Sequence, residues 1–377
     1  TASLQPDNSG SLAVKFDGSD DKLAFDVAVT QAGIAIAATS NGIFAYEVDA
    51  DSIDEITALG HEKTYFKDLD LYAYVLLPAS VSDSQIGRVV RWLDANTGAT
   101  KNPTGVLYLY WRGRTDLVTP KFDALDFSGV TYLSNGWMAC TSLTSFPVID
   151  TSSVTDVTHA WRQCTALTSF PALDFSSGIS FASAWNGCTA MTSFNATGLD
   201  SGADFSDAWN SCTSLTTFPA IPLTAGTVFN TTWYNCTSMT SFLATGLDSG
   251  TNFNWAWQSC RALETFPAIP LTAGTTFTNT WQSCTALTSF LATGLDSGTN
   301  FTNAWYGCTA LTTFPALDLS SGTNFTSAWK NCNNASFTSF PVITFSTDAS
   351  DDINFTTAWQ SCTGLTSFPA VNLSRGT

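Results

Sequence analysis

The second two-thirds of the chain repeat one pattern of apolar and polar positions every 24 residues. In the unit NFTNAWYGCTALTTFPALDLSSGT, Phe301, Trp305, Cys308 and Leu311 are separated by four, three and three residues. This spacing places the four side chains on one face of a short helix. The LTTFPALDL that follows combines apolar residues with Thr, and its proline disfavours a helix, so it predicts an extended segment. The final SSGT predicts a turn, so each unit is expected to hold one strand, one turn and one short helix.

Trp and Cys mark every unit at fixed positions, and a period of this length indicates a repeat array whose units bury their apolar faces against their neighbours. Each Cys stands alone in its unit, which disfavours a metal site, and parallel side chains in neighbouring units disfavour disulfides. We therefore predict that the thiols are free and buried in the core. The predicted core residues are Trp137, Trp161, Trp185, Trp209, Trp233, Trp257, Trp281, Trp305, Trp329 and Trp359, with Cys140, Cys164, Cys188, Cys212, Cys236, Cys260, Cys284, Cys308, Cys332 and Cys362.

The residue before the first Phe of a unit is usually Asp, Asn, Ser or Thr, as at Asp204, Asn252 and Asn300. These side chains favour the first position of a helix, where they accept hydrogen bonds from free backbone N–H groups. We therefore predict that they cap the short helices.

A longer period of 48 residues lies over the 24-residue repeat. FPAIPLTAGT, at 218–227 and 266–275, alternates with FLATGLDSGT, at 242–251 and 290–299. Both versions keep the same core positions, which indicates duplication of a two-unit segment.

The first third of the chain lacks the 24-residue period. Residues 1–104 alternate apolar and polar side chains between Gly, Asn and Asp turns, which predicts a β-rich mixed domain. Residues 71–98 are predicted to form a strand and then a helix capped at Ser82 or Asp83. AVKFDGSDD and this strand–helix segment resemble the opening and end of laminin-G or concanavalin-like jelly rolls, which implies part of such a fold.

Residues 105–136 are predicted to cap the array at its N-terminal end. Phe122 precedes Trp137 by 15 residues, as Phe146 precedes Trp161. The array itself is predicted to occupy residues 137–377 in about ten units. VNLSRGT stops where another unit would begin, so we expect the array to continue past residue 377.

The repeated AWxxCTxL motif, as in AWRQCTAL (160–167) and AWQSCTGL (358–365), resembles the BspA-type leucine-rich repeats. Their AFxxCxxL core carries Phe where this chain has Trp. The resemblance covers about residues 117–377 and implies a leucine-rich-repeat solenoid. Near-identical units rich in Thr and Ser are also similar to those of phage tail fibres and environmental surface adhesins, which implies a role at a virion or cell surface.

Charge narrows the classes of partner. Only 12% of the residues are charged, and the net charge is −17 with 14 Lys and Arg. This balance argues against a nucleic-acid partner or an anionic membrane surface. No apolar run approaches the ~20 residues that cross a membrane, so no membrane insertion is predicted.

The sequence gives little support to catalysis. The two histidines, His61 and His159, have no candidate nucleophile beside them. Carboxylates cluster in three places: Asp17, Asp20 and Asp21; Asp49, Asp51, Asp54 and Glu55; and Asp348, Asp351 and Asp352. Calcium binding through oxygen ligands is one interpretation and ordinary solvated turns are the other. The third cluster lies in an insertion that interrupts the repeat, and insertions in repeat arrays often lie on a functional face.

Most units carry a hydroxyl pair before the second Phe, for example Thr168–Ser169 and Thr216–Thr217. An array of Thr side chains is suited to ordering water or ice, or to accepting hydrogen bonds from sugars. Thr also simply suits exposed strand positions, and this second interpretation needs no ligand.

Departures from the consensus give the candidate ligand-binding residues, which cluster in four adjacent units. They are Tyr234, Trp255, Gln258, Arg261, Glu264, Gln282 and Tyr306. Exposed aromatic rings beside amides are typical of sugar-stacking surfaces, and aromatic residues are enriched at binding sites. Drift at solvated positions is the alternative.

These patterns together predict a non-enzymatic adhesin or receptor-binding protein, of the phage tail-fibre or virion-appendage kind, that recognises a host surface glycan or receptor. No cofactor is predicted. The second hypothesis is a structural spacer or assembly subunit of a virion or extracellular fibre without its own ligand site. The third is a glycan hydrolase that uses N-terminal carboxylates such as Asp20 or Asp51.

Overall fold

A computed structural model describes residues 111–120, 127–346 and 352–369, and the backbone of five strands nearer the N-terminus. These strands are β1 (Ser3–Pro6), β2 (Leu12–Lys15), β3 (Gly33–Thr39), β4 (Gly42–Val48) and β5 (Leu71–Pro78). β1 and β2 form an antiparallel pair, and β3 lies between β4 and β5 in an antiparallel sheet. The helix predicted after Ser82 lies outside the described residues.

The repeat region is an array of short parallel strand pairs, and its first six strands start at regular 24-residue spacing, as the sequence predicts. The strands are β6 (Ser169–Phe170), β7 (Ser193–Phe194), β8 (Thr217–Phe218), β9 (Ser241–Phe242), β10 (Thr265–Phe266), β11 (Ser289–Phe290), β12 (Asp318–Leu319) and β13 (Thr344–Phe345). β6 pairs with β7, β8 with β9, β10 with β11 and β12 with β13. The arrangement is consistent with a repeat solenoid.

Prolines explain why the six strands from β6 to β11 join in pairs rather than in one continuous ladder. Within a pair, the residue after the second Phe donates its N–H to the preceding unit, as Leu243 does to the Phe218 carbonyl at 3.0 Å. Between pairs this position is a proline, as at Pro219 after Phe218, and proline has no N–H to donate. The 48-residue period of the sequence therefore becomes a two-unit period of strand pairing.

The predicted short helices are wrong, because no helix occurs in the described parts of the array. The segment from Phe181 to Cys188 shows the reason. Every second residue donates its N–H to the next unit, as Phe181 does to the Asp204 carbonyl at 2.9 Å and Trp185 to the Ala208 carbonyl at 2.9 Å. Ala184, Asn186 and Cys188, which lie between or after these donors, donate to the carbonyl three positions back. An α-helix needs each N–H for the carbonyl four positions back, so hydrogen bonding between units replaces it.

Two positions in each of these turn segments have positive φ. In the unit just described they are Ser183, at 54°, and Gly187, at 76°. An L-residue in this left-handed conformation interrupts a helix and suits the third position of a tight turn. The same positions recur as two columns along the array, one of which contains Thr231, Trp255 and Asn279.

The residues predicted as helix caps are caps of turns instead. Asp204 accepts a hydrogen bond from the Ser206 N–H at 2.9 Å, and Asn300 accepts one from the Thr302 N–H at 3.0 Å. The same residues form parallel bridges between successive units, such as Asp204 with Val228. The side-chain chemistry inferred from the sequence is therefore right, while the element that it terminates is different.

The core consists of columns of stacked rings. The Trp column runs with centroids 5.0–6.0 Å apart from Trp137 to Trp359, and each indole packs edge to face against Phe rings. Each Cys donates its thiol hydrogen to the Trp carbonyl of the preceding unit, as Cys260 does to Trp233 at 3.2 Å. All twenty predicted core residues lie in this core, where only Trp359 and Cys362 are partly exposed.

An additional, divergent unit begins at Trp111, within the predicted N-terminal cap. Trp111 stacks on Trp137 at 5.5 Å, and its carbonyl accepts a hydrogen bond from the Cys140 thiol. Arg114 stands where the other units have Cys and forms an ion pair with Asp116 at 2.6 Å. A charged pair at this position gives the unit the polar character of a capping repeat. Phe122, on which the prediction of the cap rested, lies outside the described residues.

At the other end, an insertion separates the last two units without breaking the ladder. Asn324 bridges Asn354 across it, and Phe345 packs edge-on between Phe325 and Phe355. The last described ring, Phe368, stacks on Phe340 at 4.9 Å and remains 42% exposed.

Candidate functional site

Four of the seven candidate residues form a single file on the outer side of the turn segments. Tyr234, Gln258, Gln282 and Tyr306 occupy the same position in successive units, one residue after a core Trp. The residue after each member donates its N–H to the carbonyl of the next, as Asn235 does to Gln258 at 2.8 Å. We call these four residues the Tyr–Gln column.

The spacing along the Tyr–Gln column is set by the core beneath it. The Trp rings that precede its members stack at centroid distances of 5.0, 5.8 and 5.3 Å. Their planes differ by 10°, 1° and 9°, so successive units tilt little relative to one another along this stretch. The three steps from Tyr234 to Tyr306 therefore cover roughly 15 Å, given the distance between hydrogen-bonded strands.

Trp255 lies beside this column in an unfavourable backbone conformation. Its φ is 56° and it is 39% exposed. Bulky residues rarely adopt a positive φ, whereas Asn adopts it readily. Asn occupies the equivalent position in the next two units, as Asn279 and Asn303. Thr231, one unit earlier, shares the positive φ and its cost of order 1 kcal/mol, so the exposed indole is what distinguishes Trp255 from its equivalents.

Gln258 connects Trp255 to the column. The Gln258 N–H donates to the Trp255 carbonyl at 3.2 Å, which closes the turn between them. The Gln258 side-chain oxygen Oε1 is buried and accepts no hydrogen bond from any part of the chain that the structure describes. A buried acceptor without a donor is destabilising by about 1–3 kcal/mol.

Arg261 and Glu264 lie farther round the same unit and are not part of the Tyr–Gln column. Both are exposed, and each replaces a Thr of the neighbouring units. Their carbonyls accept the hydroxyl hydrogens of Thr285 at 3.5 Å and Thr288 at 2.9 Å, as Thr carbonyls do elsewhere. The two side chains carry opposite charges.

The first Thr of each repeated hydroxyl pair belongs to a column that we call the Thr ladder. These residues donate their hydroxyl hydrogens to backbone carbonyls of the preceding unit. Thr192 donates to the Thr168 carbonyl at 3.0 Å, and Thr240 donates to the Thr216 carbonyl at 3.1 Å. Such bonds hold the side chains in one orientation and leave the hydroxyl oxygens as acceptors only. The sequence alone does not reveal this role in joining the units.

The carboxylate clusters fall mostly outside the described residues. This holds for Asp348 and Asp351 and for the clusters in residues 17–21 and 49–55, while Asp352 is described and exposed. In the described part of the chain, no group of three His, Cys, Asp or Glu side chains could hold a metal ion. His159 is described and has a positive φ. Its pKa is lowered by burial and by the nearby Arg162.

The buried thiols are chemically quiet. Burial raises the pKa of Cys188, Cys236 and Cys284 from the usual 9.0 to about 12. Cys362, at the partly exposed end, has its pKa raised by burial to about 11. Because the thiolate is the reactive form, these thiols resist oxidation and alkylation while the array is folded.

We expect a disulfide reagent at neutral pH to modify Cys362 first and the other nine thiols only on unfolding. The folded state retains thiol protons that the unfolded chain loses, so stability should be intact below pH 9 and should fall as the pH rises toward 12. Urea-unfolding midpoints across this pH range measure the loss of stability. Cys236→Ala removes one of the titrating thiols, so it should make that loss smaller. Rapid modification of all ten thiols in the folded protein would contradict this expectation.

No helix in the described segments is long and apolar enough to span a bilayer. The chain matches no protein-family model, no curated protein and no solved structure.

Proposed function

We propose that this protein is a non-enzymatic adhesin that recognises a host surface glycan or receptor, as part of a phage tail fibre, another virion appendage or an extracellular surface. The array would act as a rigid support, and the Tyr–Gln column with Trp255 would form the binding surface. The exposed indole of Trp255, held in a conformation that favours other residues, is the observation that carries the proposal.

Two further observations support a binding role. Aromatic rings and amides lie together on an array whose remaining surface is mainly Thr, Ser and Asn. Such groups bind hydroxyl-rich ligands through stacking and hydrogen bonds without net charge. The AWxxCTxL motif supports membership of the BspA-type leucine-rich repeats, although the turn segments differ from the strand–turn–helix unit that this resemblance implies.

Substituting Trp255 should separate binding from stability. Trp255→Asn places a residue suited to positive φ at this position, so we expect unchanged or slightly raised stability, by up to about 1 kcal/mol. Binding to a glycan array and to whole bacterial cells should fall at least tenfold, because a stacking ring is lost. Urea unfolding and cell-binding assays measure the two effects.

Thr231→Asn is the matched control, since Thr231 occupies the same position one unit earlier and also has a positive φ. It should relieve similar strain and leave binding intact. Equal binding by Trp255→Asn and wild type would remove Trp255 from the site, and binding of the wild type to no tested surface would argue against an adhesin.

The alternative is a structural spacer of a virion or extracellular fibre. It is favoured by the uniform array and by the Thr ladder, whose hydroxyl hydrogens bond to carbonyls of the preceding units. A spacer would have its repeat faces covered by partner subunits in an assembled fibre, whereas an adhesin would leave the Tyr–Gln column accessible.

A further inference from the structure

We propose that the ligand is an uncharged, extended, linear glycan that lies parallel to the axis of the array along the Tyr–Gln column. This inference rests on the proposed adhesin function and adds the class and orientation of the ligand. It follows from the placement of four equivalent side chains in a single file.

The geometry favours a ligand that itself repeats along the array. The four column members share one position in their units, and the core Trp rings beneath them stack with plane angles of at most 10°. A straight chain of sugar rings would meet the column members in order, one after another. A compact or branched ligand would reach only one or two of them.

The order of residue types gives each part of the column a role. Tyr234 and Tyr306 stand at its two ends, where their rings can stack on sugar faces. Gln258 and Gln282 lie between them and offer amide donors and acceptors to sugar hydroxyls.

Tyr306 is already held in place. Its hydroxyl accepts a hydrogen bond from the side-chain amide of Asn331, in the next unit, at 3.2 Å. A ring fixed before binding loses less conformational freedom when the ligand arrives, which favours affinity.

Charge along the file selects a neutral ligand. From Asn186 to Tyr306, the position one residue after each core Trp carries only amide and phenol side chains. The first charged residues at this position on either side are Arg162 and Lys330. The net charge of −17 disfavours an anionic glycan at long range. A polyanion would gain no cation within the column itself.

The test is binding of neutral β-1,4-linked oligosaccharides of increasing length, from dimer to octamer, measured by calorimetry. Cello-, manno- and chito-oligosaccharides are the probes, with malto-oligosaccharides as a curved neutral series and sulfated cello-oligosaccharides as a charged one. In at least one extended neutral series we expect affinity to rise up to about four sugars and then level off. The curved and charged series should bind more weakly.

Variants test the orientation. Tyr306→Ala should weaken binding of the tetramer roughly three- to tenfold while leaving the dimer nearly unchanged, because only the longer ligand reaches that end. Lys330→Tyr, in the next unit of the same file, should move the plateau to a longer oligosaccharide. Thr231→Asn serves as the control with unchanged length dependence, and thermal unfolding confirms that each variant is folded.

The outcomes separate this inference from the adhesin proposal. Cell binding that needs Trp255, together with length-independent glycan binding or no binding of any extended neutral series, would overturn the linear-glycan inference and leave the adhesin function standing. Loss of cell binding in every assay would overturn the adhesin function. A length-dependent series that is insensitive to Tyr234→Ala and Tyr306→Ala would place the glycan elsewhere on the array.

Discussion

Trp257→Ala is expected to lower the free energy of unfolding by about 3–5 kcal/mol, the usual cost of removing a buried Trp. Trp257 is fully buried and stacks between Trp233 at 5.0 Å and Trp281 at 5.8 Å. Phe242 and Phe266 pack edge-on against it and Phe253 stacks on it at 5.9 Å, so the cavity would be lined by five rings that are fixed by hydrogen-bonded backbone. Stability in a repeat array is a sum of local terms, and a cavity in a central unit weakens its interfaces with both neighbours.

Two matched variants show whether the loss of stability depends on position in the column of stacked Trp rings. Trp359→Ala removes the same side chain at the partly exposed end of the array, and it should cost clearly less. Trp257→Phe keeps most of the ring and removes the indole Nε1, which is buried without a hydrogen-bond partner among the described residues. Urea unfolding followed by circular dichroism gives the midpoints, and equal losses for Trp257→Ala and Trp359→Ala would refute the stacked-core account.

Gly202→Ala is expected to cost about 1–3 kcal/mol through overpacking, even though Ala usually stabilises a folded chain relative to Gly. A Cβ at Gly202 would lie 2.5 Å from Cζ of Phe205 and 2.7 Å from Cε2 of Phe181. Both rings belong to a stacked column with a centroid distance of 5.2 Å, so neither can move without disturbing its neighbours. The turn can approach the rings this closely only because Gly has no side chain.

Ser201→Ala is the control, since Ser201 precedes Gly202 in the same turn and is exposed. It should change stability by less than about 0.5 kcal/mol. Thermal unfolding of the two variants measures the difference. If Gly202→Ala proved as stable as wild type, the close approach of the turn to the Phe rings would not be a constraint on this position.

The sequence predicted the candidate ligand-binding residues as a group, and four of them in one file, but the backbone conformation around them needed the structure. The 24-residue phase already places Tyr234, Gln258, Gln282 and Tyr306 at equivalent positions, so the single file can be worked out from the spacing. The positive φ of Trp255 could not be inferred, because it depends on a turn that the predicted helix excluded. The position of Arg261 and Glu264 outside the Tyr–Gln column could not be inferred for the same reason.

The Trp111 unit keeps part of the repeat pattern in its sequence. WRGRTDLVTP keeps the Trp, a Thr and a Leu at the spacing of the repeat, but Arg114 replaces the Cys and Pro120 stands where the second Phe would be. A pattern that requires both the Trp and the Cys therefore excludes this unit. The ring stacking of Trp111 on Trp137 identifies it, because packing depends on the Trp alone.

The sequence by itself determined the period, the core columns and the burial of the thiols, because regularly spaced apolar side chains must meet their equivalents in adjacent units to leave water. Only the tertiary structure decided the backbone conformation of each unit. A segment such as 181–188 has helical spacing when taken alone, yet the next unit supplies carbonyl acceptors for every second N–H. Those bonds between units hold the segment as successive turns, and a partner 24 residues away cannot be inferred from local pattern.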